Sequence, residues 1–200
     1  MKTLIINGSP RASGHSADII KILSAQIGAG VTVVSAFNNI LPCNDCGTCK
    51  KTVGCFLTRS DSMRTILDNS FNNVIIVSPI HHGDLPGPMI NIKNRFQFEY
   101  INKKHSLGGE NVVNPKFGAI IIVAGGTACP VIVGKKGAAT LATNTAKFIS
   151  QKLGCGCIEK KNIIQYLKTD DSRAIENVTL NKKIIELVKR IKTKKLGESA

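Results

Sequence analysis

Four cysteines fall within thirteen residues, Cys43-x2-Cys46-x2-Cys49-x5-Cys55. Thiolates two residues apart can converge on one metal centre, and three at that interval point to iron–sulfur more than to zinc. A zinc ribbon parts two Cys-x2-Cys pairs by a long stretch so that two knuckles face each other. Ferredoxin-type runs space three cysteines by two residues and take the fourth from elsewhere. Here the fourth stands only five residues on with no proline after it, so the match is partial. A thiol-rich loop that binds nothing is the competing reading.

A second candidate is Gly8-Ser9-Pro10-Arg11-Ala12-Ser13-Gly14-His15-Ser16. It follows a short apolar run and opens an amphipathic stretch. Glycines allow a tight turn, hydroxyls donate, and a helix start offers free N–H groups with a positive dipole end. The loop is not a Walker motif: five residues separate its glycines and His15 replaces the lysine. It also lacks Gly-x-Gly-x-x-Gly. A phosphate monoester held by amides, hydroxyls and Arg11 is the functional reading; a serine-capped helix after an ordinary βα turn is the plain one.

The elements that must position these groups alternate. Strands are expected at Leu4 to Ile6, Val31 to Val34, Val74 to Val77, Gly118 to Val123 and Ile158 to Tyr166. The third and fourth are continuously apolar, as central strands covered on both faces are. Amphipathic stretches at Ser16 to Ile27, Ser60 to Asn69, Gly87 to Phe98, Gly134 to Leu153 and Ser172 to Lys195 are the expected helices. This rhythm predicts a doubly wound, three-layer α/β fold with five parallel strands in the order 2-1-3-4-5. Ligands would then lie at the carboxyl edge, near strands 1 and 3. Two long irregular segments interrupt the pattern, 38–59 and 100–115. With no repeat or low-complexity linker, 1–200 reads as one domain carrying a cysteine-rich insert at 38–59.

The 200 residues are 42% hydrophobic, enough for a real core. No run approaches the ~20 apolar residues a membrane span needs. The start, Met1 to Gly8, reads as a first strand rather than a signal peptide, so a cytoplasmic location is expected. Clustered cysteines there suggest metal or redox use over disulfides. The formal charge of +14 favours acidic or phosphorylated partners. With aromatic residues at only 4%, no base-stacking platform is visible, and the basic residues of the last helix read as a solvated face.

Together the residues resemble the NADPH-dependent FMN reductase-like flavodoxin superfamily. Asn-Gly-Ser-Pro-Arg at 7–11 with Gly14 and Ser16 carries the likeness, as do Ser78-Pro79-Ile80-His81-His82-Gly83 and Arg95. Pro42 with the four cysteines, then Asp61 and Met63, resembles the iron–sulfur flavoproteins within it. The resemblance implies a flavodoxin-like fold in which Ser9, Arg11, Gly14, His15 and Ser16 surround the FMN phosphate. Pro79, Ile80, His81, His82 and Gly83 would follow the isoalloxazine edge. Gly125 and Gly126 would lie against its other side, and Cys43, Cys46, Cys49 and Cys55 would hold a [4Fe–4S] cluster. Relatives commonly carry aromatic residues where His81 and His82 stand; Ile90, Asn94 and Ser62 also depart from the pattern.

The function so implied is an FMN-dependent oxidoreductase. It would take electrons from NAD(P)H or a reduced ferredoxin-like carrier and pass them on, through the cluster if one is present. A homo-oligomer is expected by the same resemblance. Two rivals stand beside it: a non-catalytic iron–sulfur flavodoxin-type carrier, and a zinc-stabilised nucleic-acid-binding protein. The last leaves the 8–16 loop without a purpose.

Overall fold

The computed structural model describes residues 1–101, 116–125, 139–158, 163–166 and 173–193. Runs of β-branched residues form β1 (Thr3–Asn7), β2 (Val31–Ser35), β3 (Asn73–Pro79) and β4 (Lys116–Ala124), followed by β5 (Cys155–Ile158) and β6 (Ile163–Tyr166). All pairings are parallel, in the order β2-β1-β3-β4-β5, with β6 also paired to β4. This is the expected 2-1-3-4-5 order of a flavodoxin-like fold. The fifth position differs in detail. Of the expected strand Ile158 to Tyr166, residues 159–162 lie outside the described residues; β5 pairs with Lys116–Gly118 and β6 with Ile121–Ala124. A register shift between Lys116 and Phe117 marks where the first pairing is irregular. Cys155 is thereby a buried strand residue against Gly118, where a Cβ would meet its Sγ at 3.2 Å.

The helices are α1 (His15–Ile27), α2 (Met63–Ile66), α3 (Gly87–Arg95), α4 (Gln97–Ile101), α5 (Ala139–Lys152) and α6 (Val178–Thr193). Alternate strand residues face opposite sides, so the sheet carries two cores. Leu4, Ile6, Val74, Ile76, Ile120 and Ile122 pack with Met63 and Ile66 of α2, Met89 and Ile92 of α3, and Ala146 and Ile149 of α5. Ile5, Ile75, Val77, Ile121 and Val123 pack with Ile19 and Leu23 of α1 and Ile184 and Leu187 of α6. Each fully buried aliphatic side chain contributes up to roughly 1.5–3 kcal/mol. Among the described residues no helix is long and apolar enough to cross a membrane.

Among the described residues three helices are shorter than their amphipathic stretches; α6 begins only at Val178, after the turn Ala174–Glu176. The Ser60 to Asn69 pattern yields only Met63–Ile66, because both ends are taken by carboxylate turns. Asp61 Oδ1 accepts from the Met63 N–H (3.1 Å), and Asp68 Oδ1 from the Ser70 N–H (2.8 Å). The Gly87 to Phe98 pattern breaks at Phe96, whose N–H bonds back to Lys93 O at 3.2 Å, and restarts as α4.

Candidate functional site

The chain leaves β1 toward α1 on one face of the sheet and leaves β3 toward α3 on the other. Adjacent strands whose connections diverge open a crevice at their carboxyl ends. The two loops nonetheless start in contact. The Gly8 N–H extends the ladder to Val77 O (2.8 Å), and a Cβ on Gly8 would fall inside the Ser78 side chain and 2.9 Å from Met89 Cγ. Glycine is therefore required at position 8 by close approach.

Beyond Gly8 the loop is wound by its own side chains. Asn7 Oδ1 accepts from the Ser9 N–H (2.9 Å), and Ser9 Oγ accepts from the Arg11 N–H (3.2 Å). Ser9 and Ser16 are buried, His15 is half-buried and Arg11 is exposed. Gly14 enters α1 at φ 127°, a conformation that excludes other residues, with no side chain capping the helix. The space a Cβ would occupy there is open. Gly14, having no side chain, supplies no cap of its own, and a helix start so built suits a ligand anion.

The loop after β3 is a tight reversal. The Ile80 N–H reaches across to Val123 O (3.1 Å). His81 and Asp84 exchange two backbone bonds, 2.8 and 3.1 Å, around His82 (φ 48°) and Gly83 (φ 87°). Two successive left-handed residues make a type I′ turn, one of the few places a histidine takes positive φ. Pro79 and Ile80 are half-buried, Gly83 is buried, and His81 and His82 are exposed.

The cysteine segment is fastened from beneath by one guanidinium. Arg95, the last residue of α3, has its side chain completely buried and paired with Asp61, itself fully buried. Its Nε donates to Cys55 Sγ (3.1 Å), Nη1 to Leu41 O (3.0 Å), and Nη2 to Thr58 Oγ1 (3.1 Å). Asp61 Oδ2 accepts from the Leu41 N–H at 3.1 Å. Burial pushes the guanidinium down, but the Asp61 bond and the charges of Cys55 and Asp61 outweigh it and hold Arg95 above its ordinary value. Both ends of the segment are so tied to one buried pair. Cys49 and Cys55 are half-buried against the core, while Cys43 and Cys46 are exposed. Burial pushes the Cys49 thiol up; the Cys46 thiol, bonded to the Thr48 hydroxyl (3.3 Å), is lowered. Among the described residues no three His, Cys, Asp or Glu side chains are grouped to hold a metal ion.

Residues 1–135 match the family described as NADPH-dependent FMN reductase. The chain belongs to that family. It is accordingly an NAD(P)H-dependent flavin oxidoreductase, with FMN as the flavin. No curated protein sequence matches the chain. Solved structures share the fold. An FMN-dependent NADH-azoreductase from Bacillus anthracis str. Ames Ancestor, in complex with FMN, aligns at TM-score 0.61 and 15% identity, over 96% of this chain and 99% of that one. FerB, a flavoenzyme NAD(P)H:(acceptor) oxidoreductase from Paracoccus denitrificans, aligns at 0.56 and 18%, over 96% and 98%. Smu.1420 from Streptococcus mutans UA159 aligns at 0.58 and 18%, over 96% and 100%.

Two local observations are compatible with a flavin phosphate between these loops: Gly14 starts α1 without a cap of its own and with open space at its Cβ position, and Gly8 lies in close contact with Ser78 and Met89. The structure brings Ser9, Arg11, Gly14, His15 and Ser16 onto one loop and helix start. The strand pairing sets that loop beside Pro79–Gly83, and Gly125 follows β4 next to it. Gly126 lies outside the described residues. The Asp18–Arg173 pair at the first turn of α1 is a feature that local sequence cannot announce, since its partners stand 155 residues apart.

Proposed function

We propose that this reductase binds FMN with its phosphate at Ser9, Arg11, Gly14, His15 and Ser16 and its ring along Pro79, Ile80, His81, His82, Gly83, Gly125 and Gly126. The observation that carries this reading is the glycine start of α1, which brings no capping side chain of its own and is set at the β1–β3 switch point. Bound FMN supplies a hydride acceptor that can release electrons singly. The chain's own residues supply position and charge. The amides at the start of α1 and the exposed Arg11 offer positive potential to the phosphate. In the loop after β3, the amides of Ile80, His81 and Asp84 are already engaged internally. The amides of His82 and Gly83 are the donors left to meet the ring edge.

The whole chain acts in this reading as one FMN domain with the 38–59 insert, assembled as a homo-oligomer. A ferredoxin-like carrier is an alternative donor or acceptor to NAD(P)H. Its support is the outer surface of the insert, where exposed Val53 and Phe56 stand among exposed Lys50, Lys51 and Arg59, with Arg59 5.7 Å over the Phe56 ring. A [4Fe–4S] cluster on Cys43, Cys46, Cys49 and Cys55 rests on their spacing. As placed, these thiols are not gathered as ligands, so no electron step is drawn through them.

The test is a visible spectrum and a turnover assay on protein isolated without oxygen and reconstituted with FMN, iron and sulfide. Retained flavin bands with NAD(P)H oxidation support the reading. Absence of flavin after reconstitution sinks it. Acid-labile sulfide at four per chain would add the cluster, and its absence with flavin retained would remove the cluster alone.

A further inference from the structure

Asp18 stands in the first turn of α1, its N–H bonded to Gly14 O at 2.9 Å. The Cα–Cβ bond of a helical residue leans toward the N-terminus, so this carboxylate is tilted to the end that faces the proposed phosphate. An ionised carboxylate one turn from a phosphate opposes its binding, and the opposition is strongest where water is excluded. The Asp18 side chain is 3% exposed.

Arg173 meets it with both arms of its fork. Nε donates to Oδ2 at 2.7 Å and Nη2 to Oδ1, a bidentate pair. The Arg173 hydrogen bonds outweigh burial and hold the Asp18 carboxyl below the usual range, with smaller help from the charges of Lys21 and His15. Asp18 thus stays negative, and protonation does not relieve the repulsion. Only a fixed cation does. Arg173 itself lies at the entrance to the turn Ala174–Glu176 before α6, with its side chain 48% exposed.

We infer that Arg173 is a positioning residue for phosphate recognition: by cancelling the charge of Asp18 it lets the start of α1 present a net positive field to a phosphate monoester. The inference rests on the FMN reading above and assigns Arg173 no contact with the flavin. It separates two jobs of one ion pair. Tying α1 to α6 would affect every flavin alike, whereas cancelling a carboxylate affects only flavins that carry phosphate.

Flavin-stripped full-length protein is titrated with FMN and with riboflavin, which has the same ring and no phosphate, following flavin fluorescence. The proteins compared are wild type, Arg173→Gln, Asp18→Asn and the double variant. Arg173→Gln is expected to weaken FMN about tenfold and riboflavin by less than about twofold. In the double variant FMN returns to within about twofold of wild type, because no carboxylate remains to be cancelled. Equal weakening of both flavins, or a loss that Asp18→Asn does not restore, makes the pair structural only and overturns the inference. If Arg173→Gln does not fold, Asp18→Asn alone decides. Unchanged or tighter FMN supports the inference, and weakening confined to FMN overturns it. Wild-type protein that binds neither flavin removes the FMN reading itself, a separate result.

Discussion

Burying a guanidinium costs several kcal/mol unless its charge and its donors are met. Arg95 meets that requirement with an anion, a thiol, a hydroxyl and a carbonyl, all drawn from the cysteine segment and its flanks. Replacing it with methionine keeps the stem but leaves Asp61 as an uncompensated buried charge. Arg95→Met is expected to lower stability by about 3–5 kcal/mol in urea unfolding, and Asp61→Leu in the same chain to recover a large part of it. Failure of the second change to recover stability would show that the thiol and carbonyl bonds, rather than the charge pair, hold the segment. Arg95 and Asp61 are visible in the sequence as members of a resemblance. Their pairing across 34 residues is not, because nothing local in either neighbourhood points to the other.

At the scale of elements, the turn after β3 shows how backbone geometry is written into residue type. Gly83 at φ 87° follows His82 at φ 48°, and the reversal returns the chain at Asp84 in time to start α3 at Gly87. A β-branched residue at position 83 pays the left-handed penalty without any solvent gain. Gly83→Val is expected to cost about 1–2 kcal/mol by chemical denaturation. It should also weaken FMN more than it weakens the fold, since the His82 and Gly83 amides move with the turn. His82→Asn, which tolerates the same conformation, should leave stability within about 0.5 kcal/mol of wild type. The sequence carries the His-Gly pair as part of a resemblance, and the two backbone bonds between His81 and Asp84 define the turn.

The whole molecule carries a formal charge of +14, so folding brings like charges together and each native anion has unusual weight. Asp18 titrates lower in the folded chain than its ordinary 3.8, with the Arg173 bonds as the chief cause. A depressed carboxyl contributes stability that is complete above the unfolded value and is lost as pH falls through the folded one. The stability gap between wild type and Arg173→Gln should therefore be widest near neutrality and close as pH drops below 3.8 toward the folded value. Paired urea titrations along that pH range check this. A gap that persists at the acid end would assign the effect to packing of the arginine stem.

Local information was enough for the sheet. Val74 to Val77 and Gly118 to Val123 are apolar without interruption, which only doubly covered strands afford, and the alternation with amphipathic stretches dictates parallel winding. The turn at 8–14 between β1 and α1 was likewise legible, since glycines mark a strand end and a helix start. What folding alone decided are the meetings between distant groups: Arg95 beneath Cys55, Arg173 on Asp18, and the fifth position of the sheet shared by β5 and β6. Secondary structure follows from periodic burial, which each segment carries in itself. Charge pairing and cysteine placement depend on which surfaces the packed sheet brings face to face, and no single segment contains that.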